Sequence, residues 1–203
     1  ACRKALGEHF ICDANRLVAY AADAERGFRA GQDLKPLLDV VNKSVSIVRK
    51  NEVNASEVEQ SILLARWVAL AAAHKLEQDL ESPTSEFRET QARCIALDKD
   101  DPYCHMLVAQ AAWILAEATD KPKAQRAGLN DALEHATTAA DHPLRIAAAA
   151  QTLAETQVRL ARLAKPRSKP AESALAAAEA ALQRAFALNP NLATAHATQG
   201  QLR

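Results

Sequence analysis

The chain has 203 residues; its 25 basic and 25 acidic side chains cancel, and 46 alanines stand against 5 glycines and 8 aromatic rings. Alanine is the best helix former, and a sandwich or barrel would want β-branched residues, aromatics and glycine turns, so a sheet-rich fold is excluded. The balance of −2 over residues 1–100 and +2 over residues 101–203 gives no bulk attraction to nucleic acid or an anionic bilayer, and no apolar run approaches the roughly 18 residues a membrane-crossing helix needs.

Taken in chain order, the pattern predicts nine helices, at about 9–28, 34–49, 55–78, 83–97, 102–119, 124–140, 143–164, 171–188 and 191–203. Within 34–49, Leu34, Leu37, Leu38, Val41, Val45 and Val48 recur at three- and four-residue steps and share one face. Leu129, Leu133, Ala136 and later Leu175, Ala178, Leu182, Ala185 repeat the stripe. Seven of eight prolines fall into two series, Pro36, Pro83, Pro122, Pro170 and Pro102, Pro143, Pro190, each read as a recurring helix start, because proline is tolerated in a first turn and breaks an interior. Asp101, Ser82 and Asn189 stand where N-caps belong, and Ser56 with Glu59 reads as a capping box.

The period is about 45 residues with two helices each, giving repeats near 7–50, 51–100, 101–141 and 142–189 and a partial one over 190–203. The first helix of each pair is apolar almost all round, as Ile62 to Ala73 and Ile146 to Leu153 show, and is expected to be sandwiched. Hairpins of this kind bury both stripes only by stacking, along one continuous apolar seam. The expectation is a single all-α domain over 1–203, cut from a longer protein, since it opens Ala1-Cys2-Arg3-Lys4 and closes on Gln201-Leu202-Arg203 within a helical pattern.

Two junctions carry a family texture. Ala185-Phe186-Ala187-Leu188-Asn189-Pro190-Asn191 and Ala92-Arg93-Cys94-Ile95-Ala96-Leu97-Asp98, running on to Pro102, resemble the exit of the second helix in the tetratricopeptide repeat, and Gly200 and Ala109 take its small-residue position for close helix approach. The resemblance implies a right-handed α-solenoid of about four and a half repeats. The period departs from that repeat's roughly 34 residues because the linkers within each pair are long; a HEAT-like array is the structural alternative. Long linkers such as Gly31-Gln32-Asp33-Leu34-Lys35-Pro36 resemble the helical extension after the catalytic domain of some bacterial serine/threonine protein kinases. None of the kinase's own motifs is in this segment.

In that family's array the first helices line a concave groove. Matched offsets place Tyr103, Met106, Gln110 and Trp113, then Leu144, Ala147, Gln151 and Glu155, then Gln201, in it. A column of glutamines could bond the backbone of an extended peptide; equally, glutamine is a good helix former on a wet surface. Trp67 and Trp113, 46 residues apart, fit inter-repeat core.

Cys2, Cys12, Cys94 and Cys104 form two pairs with the same ten-residue spacing. Either they are small buried contacts, or Cys2–Cys12 and Cys94–Cys104 are disulfides worth about 2–3 kcal/mol each, which would place the segment outside the cytoplasm; otherwise it is cytoplasmic. Zinc on Cys94, Cys104 and His105 lacks a usual spacing and a fourth ligand. The histidines at 9, 74, 105, 135, 142 and 196 show no metal pattern and read as surface or cap residues, His135 on a solvated face. The basic run Arg159, Arg162, Lys165, Arg167, Lys169 fits a solvated linker or an acidic partner. The expected function is therefore non-catalytic: a protein- or peptide-docking module without cofactor, with a dimerising scaffold and a small-molecule sensor as alternatives.

Overall fold

The computed structural model describes residues 10–33, 35–50 and 56–202. Its described residues form nine α-helices: α1 (Phe10–Arg29), α2 (Lys35–Lys50), α3 (Ser56–Lys75), α4 (Glu81–Leu97), α5 (Pro102–Glu117), α6 (Pro122–Asp141), α7 (Ala147–Leu163), α8 (Lys169–Leu188) and α9 (Ala193–Gly200). The all-α expectation holds among the described residues. Two compact units divide the chain, Ala1–Lys99 and Asp100–Arg203.

In the first unit α1 packs on α2 and α3, and α3 packs in turn on α4. The sandwiched helix is the one expected: Val58, Ile62, Leu63, Val68 and Leu70 of α3 are all buried. On α2 the stripe Val41, Val45, Val48 is buried, each side chain contributing about 1.5–3 kcal/mol of transfer free energy. Trp67 meets Phe28 edge-on with centroids 6.2 Å apart. Glu59 departs from its expected capping role. It is only 1 % exposed and ion-paired with Arg49 of α2, which answers the charge that burial would otherwise leave alone.

In the second unit α5 pairs with α6, α6 with α7 and α7 with α8; α5 also touches α7, and α9 packs on α7 and α8. The central helix α7 buries Ala149, Ala150, Ala154, Val158 and Ala161. Small side chains let helices approach closely, as where α6 meets α5: a Cβ on Gly128 would stand 3.3 Å from the Ala116 Cβ. Gly200 was expected to serve that purpose, yet a Cβ there meets nothing within 4 Å, because it closes α9 in open space. Ala109 is fully buried in the cluster with Ala112, Ala132 and Ala136, as the small-residue reading requires. Leu175 leaves its stripe, 39 % exposed on α8.

Proline marks helix starts at four expected places. Pro102 and Pro122 open α5 and α6, and Pro36 and Pro170 stand second in α2 and α8. Asp101 caps α5 by accepting from the Tyr103 and Cys104 amides at 2.9 and 3.0 Å. Elsewhere the expectation needs correcting. Helix α4 begins at Glu81, ahead of Pro83, with Leu80 as N-cap and the Asp79 carboxylate accepting from the Glu81 amide at 3.1 Å; Ser82 lies inside it. Helices α7 and α9 begin beyond Pro143 and Pro190, which sit in the preceding turns. One turn holds Arg145 left-handed at φ 49, and the other is an Asx turn in which Asn189, the C-cap of α8, accepts from the Asn191 amide at 3.1 Å.

Candidate docking face

The first helices of the second unit, α5, α7 and α9, are stitched together by side chains. Gln110 Nε2 donates to Thr152 Oγ1 at 3.2 Å, and one repeat on, Gln151 Nε2 donates to Thr198 Oγ1 at 3.2 Å. Trp113 Nε1 donates to Thr156 Oγ1 at 3.0 Å, and that hydroxyl donates to the Thr152 carbonyl at 2.8 Å. Thr198 Oγ1 donates to Glu155 Oε2 at 3.0 Å. Thr152, Thr156 and Thr198 are all but completely buried, so each of these bonds satisfies a group that would otherwise be costly to desolvate. The seam expected to be wholly apolar is a hydrogen-bonded ladder flanked by alanine.

Arg159 closes the network. Its Nε donates to Glu155 Oε1 at 3.1 Å, its Nη1 pairs with Glu117 of α5, and its guanidinium lies 4.8 Å from the centroid of Trp113. Burial, and secondarily repulsion from Arg162, bring its pKa down to about 10, so it stays charged at neutral pH. Arg162 Nη2 donates to Gln201 Oε1 at 2.6 Å.

The expected groove residues are thus brought together in part. Tyr103, Met106, Gln110 and Trp113 form one stripe of α5, with Tyr103 44 % exposed and the other three half-buried. Ala147 and Gln151 are half-buried on α7, and Glu155 is buried. Gln110 and Gln151 each donate to a threonine of another helix, so their amide nitrogens bond within the unit. Leu144 lies in the turn ahead of α7, 66 % exposed. Gln201 lies just past α9, and since Thr198 answers to Thr152, it corresponds to Glu155 and not to Gln151. The threonines were missed. Their signal was available: Thr152 and Thr198 recur 46 residues apart in otherwise alanine-rich stretches.

Cys94 and Cys104 are fully buried and both disulfide-bonded. Cys2 and the Cys12 side chain lie outside the described residues, as does His9. His135 is not solvated as expected. It is half-buried, and its Nδ1 sits 2.7 Å from Nδ1 of buried His105. His142 Nδ1 accepts from the Leu144 amide at 3.2 Å, a turn-capping role. Among the described residues no three His, Cys, Asp or Glu side chains are grouped to hold a metal ion, and no helix is long and apolar enough to cross a membrane. No protein-family model matches the chain, and no curated protein or solved structure is significantly similar to it.

Proposed function

We propose that the chain is a non-catalytic protein-docking module built as a tetratricopeptide-like α-solenoid, and by resemblance the C-terminal region of a bacterial serine/threonine protein kinase. The observation that carries the reading is the ladder joining α5, α7 and α9 at repeat-equivalent positions. It fixes the first helices side by side and leaves the Tyr103 and Met106 edge of α5 accessible beside them. A partner segment would lie on that edge and contact Tyr103, Met106 and Trp113, while Gln110 and Gln151 hold the frame and keep one amide oxygen each for an incoming backbone donor. Binding of the whole chain to a peptide array, repeated with Tyr103→Ala plus Met106→Ala, tests this. Loss of the bound set supports the reading, and an unchanged set refutes it.

A second reading, a scaffold that dimerises through its ends, is favoured by the cleft of about 500 Å³ between α8 and α9, lined by Leu175, Leu182, Phe186 and Leu202. Light scattering separates the two, since only the scaffold predicts a mass that rises with concentration and falls in Leu175→Glu. The oxidised state of Cys94 and Cys104 supports an address in an oxidising compartment. Alkylation of freshly isolated protein without reductant should leave both unlabelled; full labelling would remove that address.

A further inference from the structure

We propose that the second unit carries a separate docking surface, for an acidic segment of a partner protein, at the end where the α5–α6 and α7–α8 linkers meet. Arg126 Nη2, in the first turns of α6, donates to the Leu163 carbonyl at the end of α7 at 3.3 Å, which brings both linkers to one place. The first linker and the start of α6 supply Lys121, Lys123 and Arg126; the second linker and the start of α8 supply Lys165, Arg167 and Lys169. All six are exposed, and none forms an ion pair among the described residues. Arg159, which the sequence groups with them, is different: it points inward and is neutralised by Glu117 and Glu155.

Asp120 and Glu172 stand within these segments as counter-charges, and Glu117 at the head of the first linker is ion-paired with Arg159, so the six exposed cations outnumber the acids beside them in a chain whose net charge is zero. Like charges on two linkers joined at one contact repel, and an anionic partner relieves the repulsion. Arg167 adds a second sign. It sits at φ 57, a backbone conformation that suits glycine, yet the tip of the linker carries a guanidinium.

Beside the contact of Arg126 with Leu163 lies a small recess. Ala116, Leu129 and Leu163 line a cleft of about 140 Å³ together with Gln125, Arg162 and the ion-paired Glu117 and Arg159. That is smaller than the roughly 300 Å³ at which small-molecule pockets begin, and fits one aliphatic side chain. The surroundings argue against other anions. Nucleic acid wants exposed rings for stacking, and here Trp113 is half-buried beneath Arg159 while Tyr103 stands at the opposite end of α5. A bilayer wants exposed apolar side chains to insert, and the exposed large ones of this unit, Tyr103, Leu144, Leu175 and Leu188, lie in neither linker. An acidic peptide with one aliphatic anchor answers both the charge and the recess.

The test is fluorescence anisotropy of a labelled synthetic peptide of aspartates and glutamates around one central leucine, titrated with the whole chain. Binding should saturate and weaken steeply as salt rises, because surface charges are screened beyond about 8–10 Å at physiological ionic strength. Lys121→Glu with Lys123→Glu should weaken it about tenfold or more, as should Lys165→Glu with Arg167→Gly. The second variant relieves the left-handed backbone, and circular dichroism confirms that each variant is helical. Replacing the peptide's leucine by serine should weaken binding about threefold or more. The proposal is overturned if the peptide does not bind, if the charge variants bind it as the parent does, or if oligothymidylate or phosphatidylserine vesicles bind at this end and the peptide does not displace them. Tyr103→Ala separates the two surfaces. It should leave this peptide's affinity unchanged, and a loss there without one in the lysine variants would overturn this surface while leaving the α5 edge as a docking site.

Discussion

His105 and His135 place two Nδ1 atoms 2.7 Å apart, so one ring must donate and the other accept, and a second proton between them is unfavourable. The His135 pKa is held below its usual 6.5, first by burial and then by His105, against the smaller upward pull of Asp131 and Glu134. A histidine with a depressed folded pKa binds its proton more tightly in the unfolded chain. Its stabilising effect is present above the unfolded value and is lost as pH falls through the folded one. Between about pH 7.5 and pH 5.5 the thermal midpoint should therefore drop more in the parent protein than in His135→Gln, which cannot titrate. Equal drops in the two proteins would show that this pair contributes nothing to the pH dependence. Neither partner could have been identified from spacing: the two lie 30 residues apart on different helices, and only the α5–α6 packing brings them together.

At the scale of the helices, small residues decide how closely neighbours approach. Gly128 faces the Ala116 Cβ at 3.3 Å, so Gly128→Val forces α5 and α6 apart and should cost about 1–3 kcal/mol in urea unfolding. Gly200→Ala meets no neighbour and should be neutral or stabilising by up to about 1 kcal/mol. The reverse order would mean that this crossing is not a tight contact. The same two glycines show what a sequence can and cannot convey. Helix number and apolar stripes follow from local chemistry, so Val41, Val45 and Val48 were legible, as were the starts at Pro102, Pro122 and Pro170. Proline's fixed φ suits a turn as well as a first helical turn, so Pro143 and Pro190 marked the right junctions and the wrong residues. That ambiguity carried Leu144 and Gln201 to positions they do not occupy. Which glycine meets a neighbour depends on partners distant in sequence, and the family texture pointed to Gly200 where Gly128 makes the contact.

For the second unit as a whole, the glutamines that looked like ligand-reading groups turn out to be fastenings. An extended peptide needs a rigid edge to lie on, and a ladder of buried hydrogen bonds from α5 to α7 to α9 supplies one with directional preference that alanine packing alone lacks. Both proposed docking surfaces would depend on that frame, one along α5 and the other where the α5–α6 and α7–α8 linkers meet. The candidate face was therefore half legible: the matched spacing of Gln110 and Gln151 could be seen, and so could the recurrence of Thr152 and Thr198, but not that these threonines, 42 and 47 residues on, receive the glutamine amides. A double-mutant cycle on Gln151→Ala and Thr198→Ala, read by urea unfolding of the whole chain, reports directly on whether α7 and α9 are fastened in this register. The ladder predicts a coupling of about 0.5–1.5 kcal/mol between the two sites, whereas strictly additive losses would contradict it.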